Sequence, residues 1–162
     1  MPHADLLNLR LAPDMFTLAR QFVIALDGAR GCGARLAGLN LPDAEAPDFA
    51  VFNRGDDSVS ASDPRSSGEL SARVEATRTY LQSLPRDAID ASIHRPIILQ
   101  MYGRTRTFKT RDFVLNYVLP NFYFHLSMAY ALLRQAGVCL GKQDFEGPPV
   151  YEGGAVSLTT GH

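Results

Sequence analysis

An all-α helical bundle carrying a small β-hairpin is the fold class this sequence predicts, on three observations. Apolar residues recur at helical spacing in three long segments. The ends of those segments carry helix start and stop residues of the right polarity. Residues that favour strands are concentrated in two short runs that lie side by side. At 162 residues the chain is a domain of ordinary size, long enough to bury most of its apolar surface around one core. A single domain is expected over residues 1–147, followed by a loose tail at 148–162.

The first long helix is expected to open at Pro13 and Asp14, with the proline ring preset for the first helical position and the carboxylate near the positive end of the dipole. Leu18, Phe22, Ala25, Ala29 and Leu36 then recur along one face. Gly28, Gly31 and Gly33 follow a helix rather than a strand and lack the order of a phosphate loop, so they read as close helix packing or a frayed end. Asn40 to Gly68 is rich in proline, serine and acid, and reads as a long loop. A second helix is expected from about Gly68 to Leu84, with Leu70, Val74, Thr77, Leu81 and Leu84 on one stripe and Glu69 paired to Arg73 on the solvent side. Pro85 stops it. Pro96–Met101 and Arg104–Phe108, around Tyr102 and Gly103, make a hairpin. The last helix runs from near Thr110 to Gly137, and Pro120 should kink or divide it, because the ring clashes with the carbonyl of Asn116. Phe122, Tyr123, Phe124 and His125 in succession imply that this helix is packed on more than one side, with Phe124 and Met128 in the core.

The charge balance, 16 basic against 17 acidic residues, gives no electrostatic reason to expect nucleic acid or an anionic membrane as partner. The basic run Arg104–Arg111 reads as a solvated edge strand and helix start. Cys32 and Cys139 match no metal spacing and read as reduced thiols. MPHADLLNLR lacks the regions of a secretory signal, and no apolar run approaches the length of a membrane span. A soluble, cytoplasmic protein is the expectation.

The segments RLAPDMFTLARQ (Arg10–Gln21), RLAGL (Arg35–Leu39), TFKTRDF (Thr107–Phe113), LPNFYFHLSMAYALLRQAGV (Leu119–Val138) and LGKQDFEG (Leu140–Gly147) resemble, in order, a bacterial and fungal family known as a domain of unknown function and grouped with the DinB and YfiT-like four-helix bundles. The resemblance covers about residues 4 to 147. It implies an up-down-down-up bundle, in a superfamily of metal-binding enzymes and thiol-dependent transferases. Relatives usually carry a further amphipathic helix ahead of the segment that begins here at His3. Without it, the face of Leu18, Phe22 and Ala25 is expected to stand open as an apolar groove, to be covered by a second copy of the chain, by the Asn40–Gly68 loop or by the tail.

Metal-binding members of that superfamily draw one histidine from the second helix and an HxxxH pair from the last. Here the residue four positions after His125 is Ala129, and Arg20–Asp27 contains no histidine. His3, His94 and His162 lie near the termini or in a turn. No metal and no other cofactor is therefore expected. Asn121, His125, Met128 and Leu132 share a stripe. A histidine so placed is most often a core residue whose nitrogens are satisfied by neighbours. The functional reading groups His125 with Gln21, Asp27, Tyr117, Asn121, Tyr123 and Met128 as the polar end of a small-molecule pocket between helices. The alternative is a metal-independent enzyme, a thiol-linked transferase or isomerase, with His125 as its catalytic candidate. Ser127 and Cys139 have no nucleophile motif around them.

Overall fold

The computed structural model describes residues 6–39, 63–101 and 104–148. Its first two long helices are α1 (Leu18–Leu36) and α2 (Ser67–Ser83). A short helix α3 (Arg86–Asp90) and a 3-10 turn (Ala91–His94) lead into the antiparallel hairpin of β1 (Pro96–Met101) and β2 (Arg104–Lys109). A long helical run follows, built from α4 (Thr110–Phe113), a π-helical turn (Val114–Val118) and α5 (Leu119–Gln135). The short α6 (Lys142–Glu146) follows α5. The expected loop at Asn40–Gly68 falls outside the described residues up to position 62, as do the Tyr102–Gly103 turn and the tail from 149.

Helix α1 starts five residues later than its proline suggests. Pro13 occupies the second position of a turn in which the Met15 N–H donates to the Ala12 carbonyl (3.0 Å). The same fixed φ serves both settings, so proline alone does not choose between them. Thr17 is the true cap, its hydroxyl accepting from the Arg20 N–H at 3.2 Å. At the other end Gly38, at φ +68°, takes the left-handed place after the helix, with the Leu39 N–H bonded to the Ala34 carbonyl. Arg95 then donates from Nη2 to the carbonyls of Leu36 (2.6 Å) and Ala88 (3.2 Å), tying the end of α1 to the root of the hairpin.

The central helix is α1, not the aromatic-rich α5. Thirteen of its 19 residues are buried, and it packs against both α2 and α5. Small residues permit this: a Cβ at Gly33 would lie 2.6 and 2.7 Å from the methyls of Leu84 and Leu81, so the glycine marks close helix packing. On α5 the buried residues are His125, Ala129 and Leu132, while Tyr123 and Phe124 are each 52 % exposed. Phe124 is thus not a core residue, and Met128 is half-buried. The stripe expected on α2 reduces to Thr77 as its buried member, with Leu70, Leu81 and Leu84 partly covered.

Two apolar clusters form the core. One joins Cys32 of α1 to Ile97, Leu99, Phe113 and Val118, with Phe108 and Tyr117 against it. The other joins Leu18 to Ala129 and Leu132, with Leu6, Leu9 and Phe22 against it. The face expected to stand open is in part covered: Leu18 is buried against α5 and the N-terminal segment, Ala25 is buried, and Phe22 is half-buried.

Pro120 divides the last helix by way of the π turn. The Leu119 N–H reaches back to the Val114 carbonyl, and the α-helix restarts with Pro120 in its first turn, where the ring displaces no intrahelical donor. Gly137, at φ +86°, closes α5, with the Val138 N–H on the Leu133 carbonyl.

Candidate functional site

Of the seven candidate residues, the fold brings two together. Gln21 of α1 is 1 % exposed and His125 of α5 is 7 % exposed, and Nδ1 of the imidazole lies 2.7 Å from Oε1 of the carboxamide. Burial lowers the His125 pKa from 6.5 to about 4, so the ring is neutral near pH 7. A carboxamide oxygen accepts only, so the ring proton sits on Nδ1 and the lone pair on Nε2. Phe16 and Phe124 flank the ring, with centroids 6.5 and 5.2 Å away.

The other five lie elsewhere. Asp27 sits six residues beyond Gln21, about 9 Å along the helix, and is fully buried with Oδ1 3.1 Å from Nη2 of Arg73. The expected Glu69–Arg73 pair does not form. Glu69 instead turns back to accept the Arg65 N–H (2.8 Å), while its own N–H donates to the Ser66 hydroxyl (3.1 Å), which satisfies two backbone donors at the helix start. Tyr117 stacks on Phe113 and packs on Phe108 in the hairpin cluster. Asn121 and Tyr123 are exposed, and Met128 is partly covered. Asn121 lies four residues before His125 and Phe122 lies three before it, and the core side of the helix is the one that half-buries Phe122.

Sequence reasoning missed a cleft beside this pair. It has a volume of about 390 Å³ and lies between the N-terminal segment, the start of α1 and the chain entering α2. Arg10, Arg20 and Arg65 line it with Asn8, Thr17 and Phe16, and Asp63 is the carboxylate among its lining residues. Arg20, 4 % exposed, holds Asp63 through Nη1 at 2.8 Å. Phe16 belongs to the cleft wall and also faces the His125 ring. The signal in the sequence is Arg20 beside Gln21, a polar pair set between the apolar runs Leu18–Ala19 and Phe22–Leu26 of a helix.

Among the described residues, no three His, Cys, Asp or Glu side chains lie where they could jointly hold a metal ion. Burial raises the Cys32 thiol to about 11 despite the nearby Arg35, whereas Cys139 is exposed. A thiol reagent at pH 8 should modify Cys139 quickly in the folded protein and Cys32 only on unfolding. Two equally fast thiols would contradict the packing of Cys32.

His125 also predicts a pH dependence. Its folded pKa lies below the unfolded value, so as pH falls the unfolded chain takes up the proton first. Its contribution to stability is complete above about 6.5 and is lost between there and about 4. The span corresponds to roughly 3 kcal/mol. Chemical denaturation at pH 7 and pH 4.5 should show this loss, and His125→Gln should remove most of it. An unchanged slope in the variant would assign the effect to other groups.

The geometry defines a class: a helical bundle of the DinB type, with a buried imidazole–carboxamide pair and an arginine-lined cleft at one end of its central helix. The chain belongs to the family described as a domain of unknown function, DUF1993, which matches residues 1–146. It is similar to a solved DinB family member from Shewanella denitrificans, with 31 % identity and a TM-score of 0.73 over 94 % of this chain and 78 % of that one. No curated protein matches it. Among the described residues, no helix is long and apolar enough to cross a membrane.

Proposed function

We propose that this protein is a small-molecule-binding helical bundle that works without a resident metal or other cofactor, and that its ligand carries a carboxylate. The observation that carries the reading is the cleft holding the buried Arg20. Among the described residues of the lining, three guanidinium groups stand against one carboxylate, a net positive balance. Guanidinium forks match carboxylate oxygens in pairs, and the low-dielectric wall strengthens the attraction. The Gln21–His125 pair lies next to the cleft, where it fixes α1 against α5 and so holds the wall that bears Arg20. We place the protein in the cytoplasm, acting on a soluble ligand.

The enzymatic alternative built on His125 has less support. The ring is held neutral, one nitrogen is committed to Gln21, and a group with a pKa near 4 is a weak base at neutral pH. Cys32 is no better as a nucleophile, since its thiol stays protonated. Leu18 and Ala25 are buried within the chain, so of the groove residues Phe22 is the one a homodimer would cover.

The test is a titration of the isotopically labelled protein with acetate, malonate and citrate, followed by amide chemical shifts. Shifts should cluster at Thr17–Arg20 and Asp63–Arg65, and Arg65→Ala, at an exposed side chain, should weaken binding at least tenfold. Shifts elsewhere, or none with any of the three acids, would overturn the reading.

A further inference from the structure

We infer that the root of the hairpin is a second, independent binding site, for a soluble phosphomonoester. A cavity of about 470 Å³ lies between the 3-10 turn, the paired ends of β1 and β2, and the first residues of α4. His94, Arg95, Lys109 and Arg111 line it, and among the described residues no carboxylate does. In a chain with a net charge of −1, Lys109, Arg111 and the His94 imidazole around one cavity are a marked local excess. The Arg95 guanidinium is anchored on the carbonyls of Leu36 and Ala88, which do not line the cavity, so Arg95 braces the turn that carries His94. Lys109 is held at the hairpin end by its register opposite Pro96. The Thr110 hydroxyl is committed to the Ser92 and Arg95 carbonyls, which pins the start of α4 to the turn that carries His94. The cationic groups are thus spread over three elements locked to one another rather than along one mobile segment.

The volume selects the ligand class. It exceeds what a bare phosphate fills and falls in the range of small-molecule clefts. Phe108 and Ile93 add apolar surface beside the cations. A phosphate dianion attached to a flat or apolar body satisfies both parts, with charge-assisted hydrogen bonds from Lys109 and Arg111 and the body against Phe108. Of the basic run Arg104–Arg111, this gives a role to Lys109 and Arg111.

Titrations of the whole labelled chain with inorganic phosphate, adenosine monophosphate and adenosine test it. Amide shifts should centre on Arg95 and Thr107–Arg111, with the monophosphate bound at least tenfold more tightly than adenosine. Lys109→Ala with Arg111→Ala should weaken the monophosphate at least tenfold, and either single substitution, at an exposed side chain, should weaken it measurably. Arg65→Ala should leave it unchanged, which separates this site from the carboxylate cleft. Equal binding of adenosine, shifts centred elsewhere, or unchanged affinity in the double variant would overturn the proposal. So would stronger capture by phosphatidic acid vesicles or by a single-stranded oligonucleotide than by the free monophosphate.

Discussion

Phe113→Ala is expected to destabilise the protein by about 3–5 kcal/mol, the usual cost of removing a large aromatic side chain from a close-packed core. Phe113 has no solvent exposure, and its ring contacts those of Phe108 and Tyr117 at centroid distances of 5.7 and 5.8 Å. It also lies between the hairpin and the π turn, so the space it leaves cannot close by moving one side chain. Phe124→Ala is the matched control. The same atoms are removed from a ring 52 % exposed, and about 1 kcal/mol or less should be lost. Urea unfolding of both variants decides the matter, and losses of similar size would mean that the aromatic faces are wrongly assigned.

The second large effect is expected at Arg73→Met, which removes an ion-pair partner of the fully buried Asp27 while keeping most of the side-chain volume. Breaking one half of a buried pair costs about 3–5 kcal/mol, because the remaining charge stays desolvated. Adding Asp27→Asn should restore much of the loss, so that the double variant is more stable than Arg73→Met alone. A loss below about 1 kcal/mol for Arg73→Met would show that the pair does little to hold α2 on α1. The result bears on the whole bundle, since α2 has Thr77 as its buried residue and therefore depends on few contacts.

The candidate site was legible in part. Gln21 and His125 could be grouped because each lies on the inward stripe of its own helix, and inward stripes of neighbouring helices meet. Asp27, Tyr117, Asn121 and Tyr123 could not be placed by the same logic. Asp27 faces α2 rather than α5, Tyr117 lies in the π turn, and Asn121 and Tyr123 sit on the outward side of a helix whose solvent face is itself apolar. Leu115, Leu119, Tyr123 and Phe124 are all substantially exposed, so hydrophobicity did not identify the buried side. The cleft was illegible because its arginines come from three stretches: the N-terminal segment, α1 and the approach to α2.

The sequence by itself determined the helices of the bundle, the hairpin between them, the stop at Pro85 and the break near Pro120, because these follow from local spacing, caps and the geometry of proline. Tertiary structure alone decided which helix is central, where Arg73 turns, and which of two turns Pro13 begins. Those choices depend on what lies opposite each residue. Small side chains on α1 let it bury two faces at once, a buried carboxylate draws Arg73 inward, and the Arg10–Thr17 bridge folds the entry segment back so that the helix waits for Thr17.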